Sequence, residues 1–224
     1  MTQPVAAAAN ALRHRVGGVF AGASQPLARG EASAIRKVRV RGRLTVGPLG
    51  LEGDEQADRV HHGGPEQAVH LYPADHYPRW RADHPAVAGA LAPGSFGENL
   101  SVADVTEADA LIGDVLRLGS ALLQVSQGRQ PCWKIDARFG VRGLTAAVLG
   151  TGRSGWYFRV LEPGSVEEGD ELRLVERSAH DWTVARVTEV VLLGRGTIAD
   201  ACAVAGLDGL TAKWRARAAA RATA

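Results

Sequence analysis

Residues 114–127, DVLRLGSALLQVSQ, are two short apolar-patterned runs joined by Gly119-Ser120, and no other stretch restricts the fold so tightly. A glycine-containing two-residue connection between such runs is a hairpin turn, so the flanking strands must lie antiparallel. An isolated hairpin is marginal in water and needs further strands to cover its apolar face. The chain offers them. VGGVFAG, from Val16, reads as a first short strand, and AVHLY (68–72) as a buried one. AIRKVRVRGRLTV (34–46) sets Val38 and Val40 against Lys37, Arg39 and Arg41 at period two, which predicts one buried face and one charged face. GWYFRVLEPGSVEEGDELRLVER (155–177) reads as a second strand pair, turning around Pro163-Gly164 and Glu168-Gly169-Asp170. Short strands, turn chemistry between them and few long helices predict a mostly antiparallel barrel.

Two polar loops interrupt this pattern. Residues 47–67 are crowded with Gly, Asp, His and Pro, and a loop of that length in a compact domain is usually functional or disordered. PGSFGENLSV (93–102) is the second, and PADHYPRWRADHP between them reads as a short helical stretch ending at Pro85. The texture changes at Ser178. From Thr183 onward three helical pieces follow, with Gly206 as a C-cap and Ala, Arg and Lys dominating the last. The expected organisation is a frayed tail over 1–16, a barrel over 17–177 and a small helical appendage over 178–224. The Ala-rich N-terminus has no basic segment before its apolar run, and alanine gives that run little hydrophobicity, so it reads as a frayed tail, with a weak helix as the alternative, rather than a secretion signal. No stretch has the length and apolarity of a transmembrane helix. A cytoplasmic protein with no membrane partner is expected.

Among 224 residues, 26 Lys and Arg balance 24 Asp and Glu, and no basic cluster interleaved with aromatics appears, which argues against a nucleic-acid partner. Two cysteines seventy residues apart make no disulfide framework. They differ in setting. Cys132, in SQGRQPCWKI, stands beside Pro131 and between Arg129 and Lys134 on the loop leaving the hairpin. If Pro131 opens a helix, a thiol at its start beside two cations should carry thiolate character and suit a soft metal. The alternative is an inert buried cysteine. Cys202, within the apolar run IADACAVAGL, reads as a small core residue.

His61 and His62 precede Gly63-Gly64, where backbone N–H groups and imidazoles could meet a ligand, or the segment could be a solvated turn. A zinc set from Asp58, His62, His70 and Cys132 matches no standard spacing. Asp54 and Asp58 beside Arg59 suggest local salt bridges. Lys37 and Arg129 are the donors that a phosphorylated ligand would need, and Glu98-Asn99 place a carboxylate and an amide at a strand entrance. The chain has no dinucleotide fingerprint, P-loop or nucleophile elbow.

The segments GLEGDEQADRVHHGGPEQAVHLYPADHY, FGENLSV, IGDVLRLGSALLQVSQGRQPCWKI and GWYFRVLEPGSVEEGDELRLV together resemble the MOSC family, the C-terminal domain of molybdenum-cofactor sulfurases. Within it they resemble the YiiM-like group, single MOSC domains followed by a three-helix segment. The resemblance spans roughly residues 17–215. It implies a mainly β fold with α, a MOSC-type β-barrel with a C-terminal helical appendage, binding a molybdopterin-type molybdenum cofactor with Cys132 as metal ligand. It implies reduction of N-hydroxylated compounds such as 6-hydroxylaminopurine. On the same basis Lys37, Arg59, Asn99 and Arg129 are placed near the cofactor, with His61 and His62 moving protons. The resemblance leaves a second reading, a carrier that holds sulfur or the cofactor on Cys132. Reduction would need electrons that no flavin, NAD or iron–sulfur motif of this chain could supply, so a separate reductase is the expected partner.

Overall fold

The computed structural model describes residues 12–57 and 63–223. Their strands are β1 (Arg13–Ala21), β2 (Gln25–Ala28), β3 (Glu31–Ser33), β4 (Val38–Arg39), β5 (Leu44–Gly47), β6 (Gly50–Leu51) and β7 (Val69–Pro73). Helix α1 (His76–Asp83) precedes β8 (Leu100–Val102), β9 (Val115–Leu118) and β10 (Ala121–Gly128). Helices α2 (Lys134–Phe139) and α3 (Leu144–Thr151) lead into β11 (Trp156–Glu162), β12 (Gly164–Val166) and β13 (Glu171–Glu176), and α4 (Val184–Leu192), α5 (Ile198–Ala205) and α6 (Ala212–Ala222) follow.

Seven strands run β13-β9-β10-β11-β7-β8-β1, and β1 pairs back onto β13 to close the barrel. Closure removes the unpaired edges that short strands would otherwise expose. All pairs around the ring are antiparallel except β7 with β8, which α1 and the 93–99 loop connect. The predicted hairpin is β9–β10, with Ala121 opposite Leu118. β7 is buried along its whole length, because its neighbours β11 and β8 are barrel strands and its faces meet the core and α1.

Four expectations need correction. β11 and β13 do not pair with each other: the β9–β10 hairpin lies between them, so the Pro163–Asp170 segment is a crossing connection. The 34–46 alternation does not make a half-buried strand. Val38 is 68% exposed and the Lys37 side chain is turned inward, since only Val38 and Arg39 join the barrel, as an outer pair on β1. β1 starts at Arg13, opposite Arg173, so the ordered barrel reaches into the stretch read as tail; residues 1–11 lie outside the described residues. Cys202 is exposed, because the buried stripe of α5 falls on Ala201 and Val204, one turn of the helix apart.

The three C-terminal helices share the barrel's core. Val184, Val187, Ala201, Val204, Leu210, Trp214 and Ala218 belong to the same buried cluster as Val16, Leu116, Val125 and Phe158. They dock on the end of β10: Thr211 N–H donates to Ser126 O at 3.2 Å and its hydroxyl to Gln127 Oε1 at 2.7 Å. A side chain at Gly128 would collide with Thr188 and Trp214. The next residues of the chain are Arg129 to Cys132, so the helices buttress the strand end that carries the thiol. Among the described residues no helix is long and apolar enough to cross a membrane.

Candidate functional site

Leaving β10, the chain turns under β11: Arg129 N–H donates to Gly155 O at 3.0 Å, and the Arg129 side chain runs inward, 7% exposed. Its Nη2 donates to Phe96 O at 3.1 Å, while Nη1 is buried and has no hydrogen-bond partner among the described residues. Cys132 is half-buried on the same loop, with its carbonyl accepting from Ile135 N–H at 3.0 Å and the Thr145 hydroxyl at 3.1 Å. The helix begins later than Pro131 suggests. Trp133 is its cap and Lys134 its first residue, so Cys132 precedes α2 rather than occupying its first turn.

Arg129 and Cys132 line one pocket with Lys37, Asp54, His70, Phe96, Gly97, Asn99, Lys134 and Tyr157. Four of the sequence-predicted site residues therefore converge: Lys37, Asn99, Arg129 and Cys132. Arg59, His61 and His62, together with Asp58, lie outside the described residues. Among the described residues no three His, Cys, Asp or Glu side chains are grouped as a metal site.

The convergent residues are not equivalent. Lys37 Nζ sits 2.5 Å from Asp54 Oδ2, with the two side chains only 8% and 5% exposed. Burial lowers the Lys37 ammonium below the ordinary lysine value, and the Asp54 charge opposes that. Asp54 also accepts from Gly22 N–H at 2.9 Å and from Asn99 Nδ2 at 2.8 Å. Asn99 is committed at both ends, since its Oδ1 accepts from His70 N–H at 3.0 Å and its Nδ2 also reaches Phe20 O at 3.2 Å. Lys37 and Asn99 thus form the pocket's floor, whereas Arg129 holds a buried donor, Nη1, that no described residue accepts from.

Sequence reading missed one residue of the wall, Tyr157, and gave another, His70, a different part. Tyr157, on β11, lies with its ring 4.9 Å from that of His70. His70 weighed only as a zinc ligand; it is 2% exposed, with Nε2 at 3.1 Å from Ser154 O. Burial, and after it the Arg129 charge, hold His70 well below the usual histidine range, so the ring is neutral. The available signal was a histidine in the middle of an otherwise apolar strand. Lys134, 7% exposed, donates to Ala32 O at 3.3 Å and lies 3.6 Å from Glu31. The described lining carries three cations (Lys37, Arg129, Lys134) against the carboxylates Asp54 and Glu55.

Residues 58–173 match the MOSC domain. The chain is 42% identical over 172 residues to Protein YiiM of Escherichia coli, an alignment covering 77% of this chain and 76% of that one. The crystal structure of Escherichia coli YiiM superposes with a TM-score of 0.80 at 31% identity, covering 95% of this chain and 93% of that one. YiiM from Geobacillus stearothermophilus gives 0.79 at 30% identity, over 93% and 99% of the two chains. A Gibberella moniliformis protein named "Reductase" is 40% identical over 160 residues, which cover 71% of this chain and 28% of that protein.

Proposed function

The chain belongs to the MOSC domain family, and from that premise we propose that its pocket holds a molybdenum cofactor through Cys132 and reduces N-hydroxylated compounds, 6-hydroxylaminopurine among them. One observation carries the reading. Arg129 is buried beside a half-buried thiol, and its Nη1 has no acceptor among the described residues. An open guanidinium N–H inside a protein costs free energy unless a ligand accepts from it. The pocket is therefore suited to an anionic group next to a soft sulfur donor, and a molybdopterin offers both a phosphate and a metal. Cys132 would hold the metal, while Arg129 and Lys134 would hold the anionic part. The relative named "Reductase" supports the same class of chemistry.

When bound, the cofactor supplies a centre that takes up and releases two electrons. The chain's own residues do the rest. Phe96, Gly97 and Tyr157 wall off solvent, and the Lys37–Asp54 pair keeps a proton at the floor. Neutral His70 packs on Tyr157 without adding charge. The reaction breaks the N–O bond of R–NH–OH. Two electrons and two protons give R–NH2 and water, with the electrons delivered by a separate reductase. The test is to produce the protein in a cofactor-competent host and assay it with 6-hydroxylaminopurine and reduced viologen. Turnover supports the reading; molybdenum-loaded protein that does not turn over would contradict it and favour a carrier.

A further inference from the structure

Glu98 has no assigned part in this chemistry, although its surroundings are costly to build. It is 0% exposed, and among the described residues no cationic nitrogen lies within salt-bridge distance of its carboxylate. A buried carboxylate is tolerated only when its oxygens are satisfied. Oε1 accepts from Gly94 N–H at 2.6 Å and from the Tyr77 hydroxyl, and Oε2 accepts from Phe96 N–H at 3.2 Å. Two of these three donors belong to the loop just before Glu98, which is wrapped around its own following carboxylate.

That wrap requires glycine. Gly94 and Gly97 have φ of 90° and 80°, in the left-handed region, and a Cβ at Gly97 would come within 2.9 Å of Ile35 Cγ1. With its N–H groups turned inward to Glu98, the loop turns the Phe96 carbonyl outward, where Arg129 Nη2 donates to it at 3.1 Å. Phe96 and Gly97 line the pocket, whereas Glu98 lies behind them. We infer that Glu98 is a positioning residue for Arg129: its carboxylate folds the Gly94–Gly97 loop so that the Phe96 carbonyl fixes the guanidinium in the pocket lining, with Nη1 buried and without an acceptor among the described residues. What Arg129 then binds rests on the reading proposed above. Glutamine fills the same space but would set an NH2 group against a backbone N–H, so the loop must open.

The test is a double-mutant cycle on cofactor retention, with no turnover involved. Wild type, Glu98→Gln, Arg129→Ala and the double variant are produced in a cofactor-competent host. Bound pterin is measured by fluorescence after oxidative release, and melting curves confirm folding. Each single variant should retain about ten-fold less pterin, the loss of one charge-assisted contact. The double variant should retain no less than Arg129→Ala alone, because both act through one contact. Tyr77→Phe removes a donor to Glu98 outside the loop, and should lower the melting temperature while leaving retention unchanged. If Glu98→Gln does not fold, Gly97→Ala, which forces the same loop open, replaces it in the cycle. Multiplied losses in the double variant, or wild-type retention in Glu98→Gln, would overturn the role of Glu98 alone. A wild-type protein without pterin would overturn the cofactor reading and this role with it.

Discussion

Replacing Lys37 by methionine tests whether the pocket floor is a buried ion pair. Methionine fills most of the lysine volume and removes the charge, leaving Asp54 buried with two N–H donors, Gly22 at 2.9 Å and Asn99 at 2.8 Å, but no counter-ion from Lys37. At the observed 2.5 Å the pair's attraction is about 6–7 kcal/mol for an effective dielectric of 20. Desolvating both ions offsets much of this, and breaking a buried pair usually costs about 3–5 kcal/mol. The two donors that Asp54 retains place Lys37→Met at the low end, about 3 kcal/mol. For a chain of this size that is a fall in Tm of about 6–12 °C. Urea unfolding followed by circular dichroism, with an unchanged slope against denaturant, measures the loss. Asp54→Asn should cost a similar amount, and the double variant much less than the sum. A loss below about 1 kcal/mol for Lys37→Met, or strict additivity, would show that the pair does not hold the floor together.

Trp214→Ala removes a side chain that is 1% exposed against Gly128, and should cost about 3–5 kcal/mol in one cooperative transition; a separate early transition in the wild type would show that the helices do not share the barrel's core. The His70 ring stays neutral in the fold, whereas the unfolded chain takes up a proton as pH drops below 6.5. More protons are then bound in the unfolded state, so stability falls with pH there, by at most about 1.4 kcal/mol per unit from this group. His70→Gln should flatten that part of the urea-midpoint curve between pH 7 and 5, and an unchanged slope refutes the assignment. Cofactor-loaded protein should be inactive with NADPH alone and active once a flavoprotein reductase or reduced viologen is added; sustained turnover with NADPH and no second protein would refute the need for a partner.

Local signals carried much of the barrel. Gly119-Ser120 between apolar runs marked the β9–β10 hairpin, and the apolar run at AVHLY marked β7, because turn chemistry and burial are written within a few residues. Long-range partners were not legible. The 155–177 segment contains two barrel strands, but only the ring order shows that the hairpin separates them. Period two misled at 37–41 because alternation implies a buried face only where a full strand pairs, and there only Val38 and Arg39 do. Cys202 misled because an apolar run on a helix still has an outer side. In the site, cations around Cys132 drew attention to Arg129 and Lys134, which do line the pocket. The work of Asp54, Glu98 and Asn99 stayed hidden, since their partners lie far apart in the chain or depend on an unusual loop.

The claim that Cys132 is the metal-holding residue of a pocket shaped by Arg129 has a direct measurement. Wild type, Cys132→Ser and Cys202→Ser are purified from the same cofactor-competent host, and molybdenum is determined per protein chain by elemental analysis alongside melting curves. Molybdenum should be present in the wild type and in Cys202→Ser, whose thiol is on the surface of α5, and lost from a folded Cys132→Ser. A Cys132→Ser protein holding as much molybdenum as the wild type, or a wild type holding none, would contradict the account.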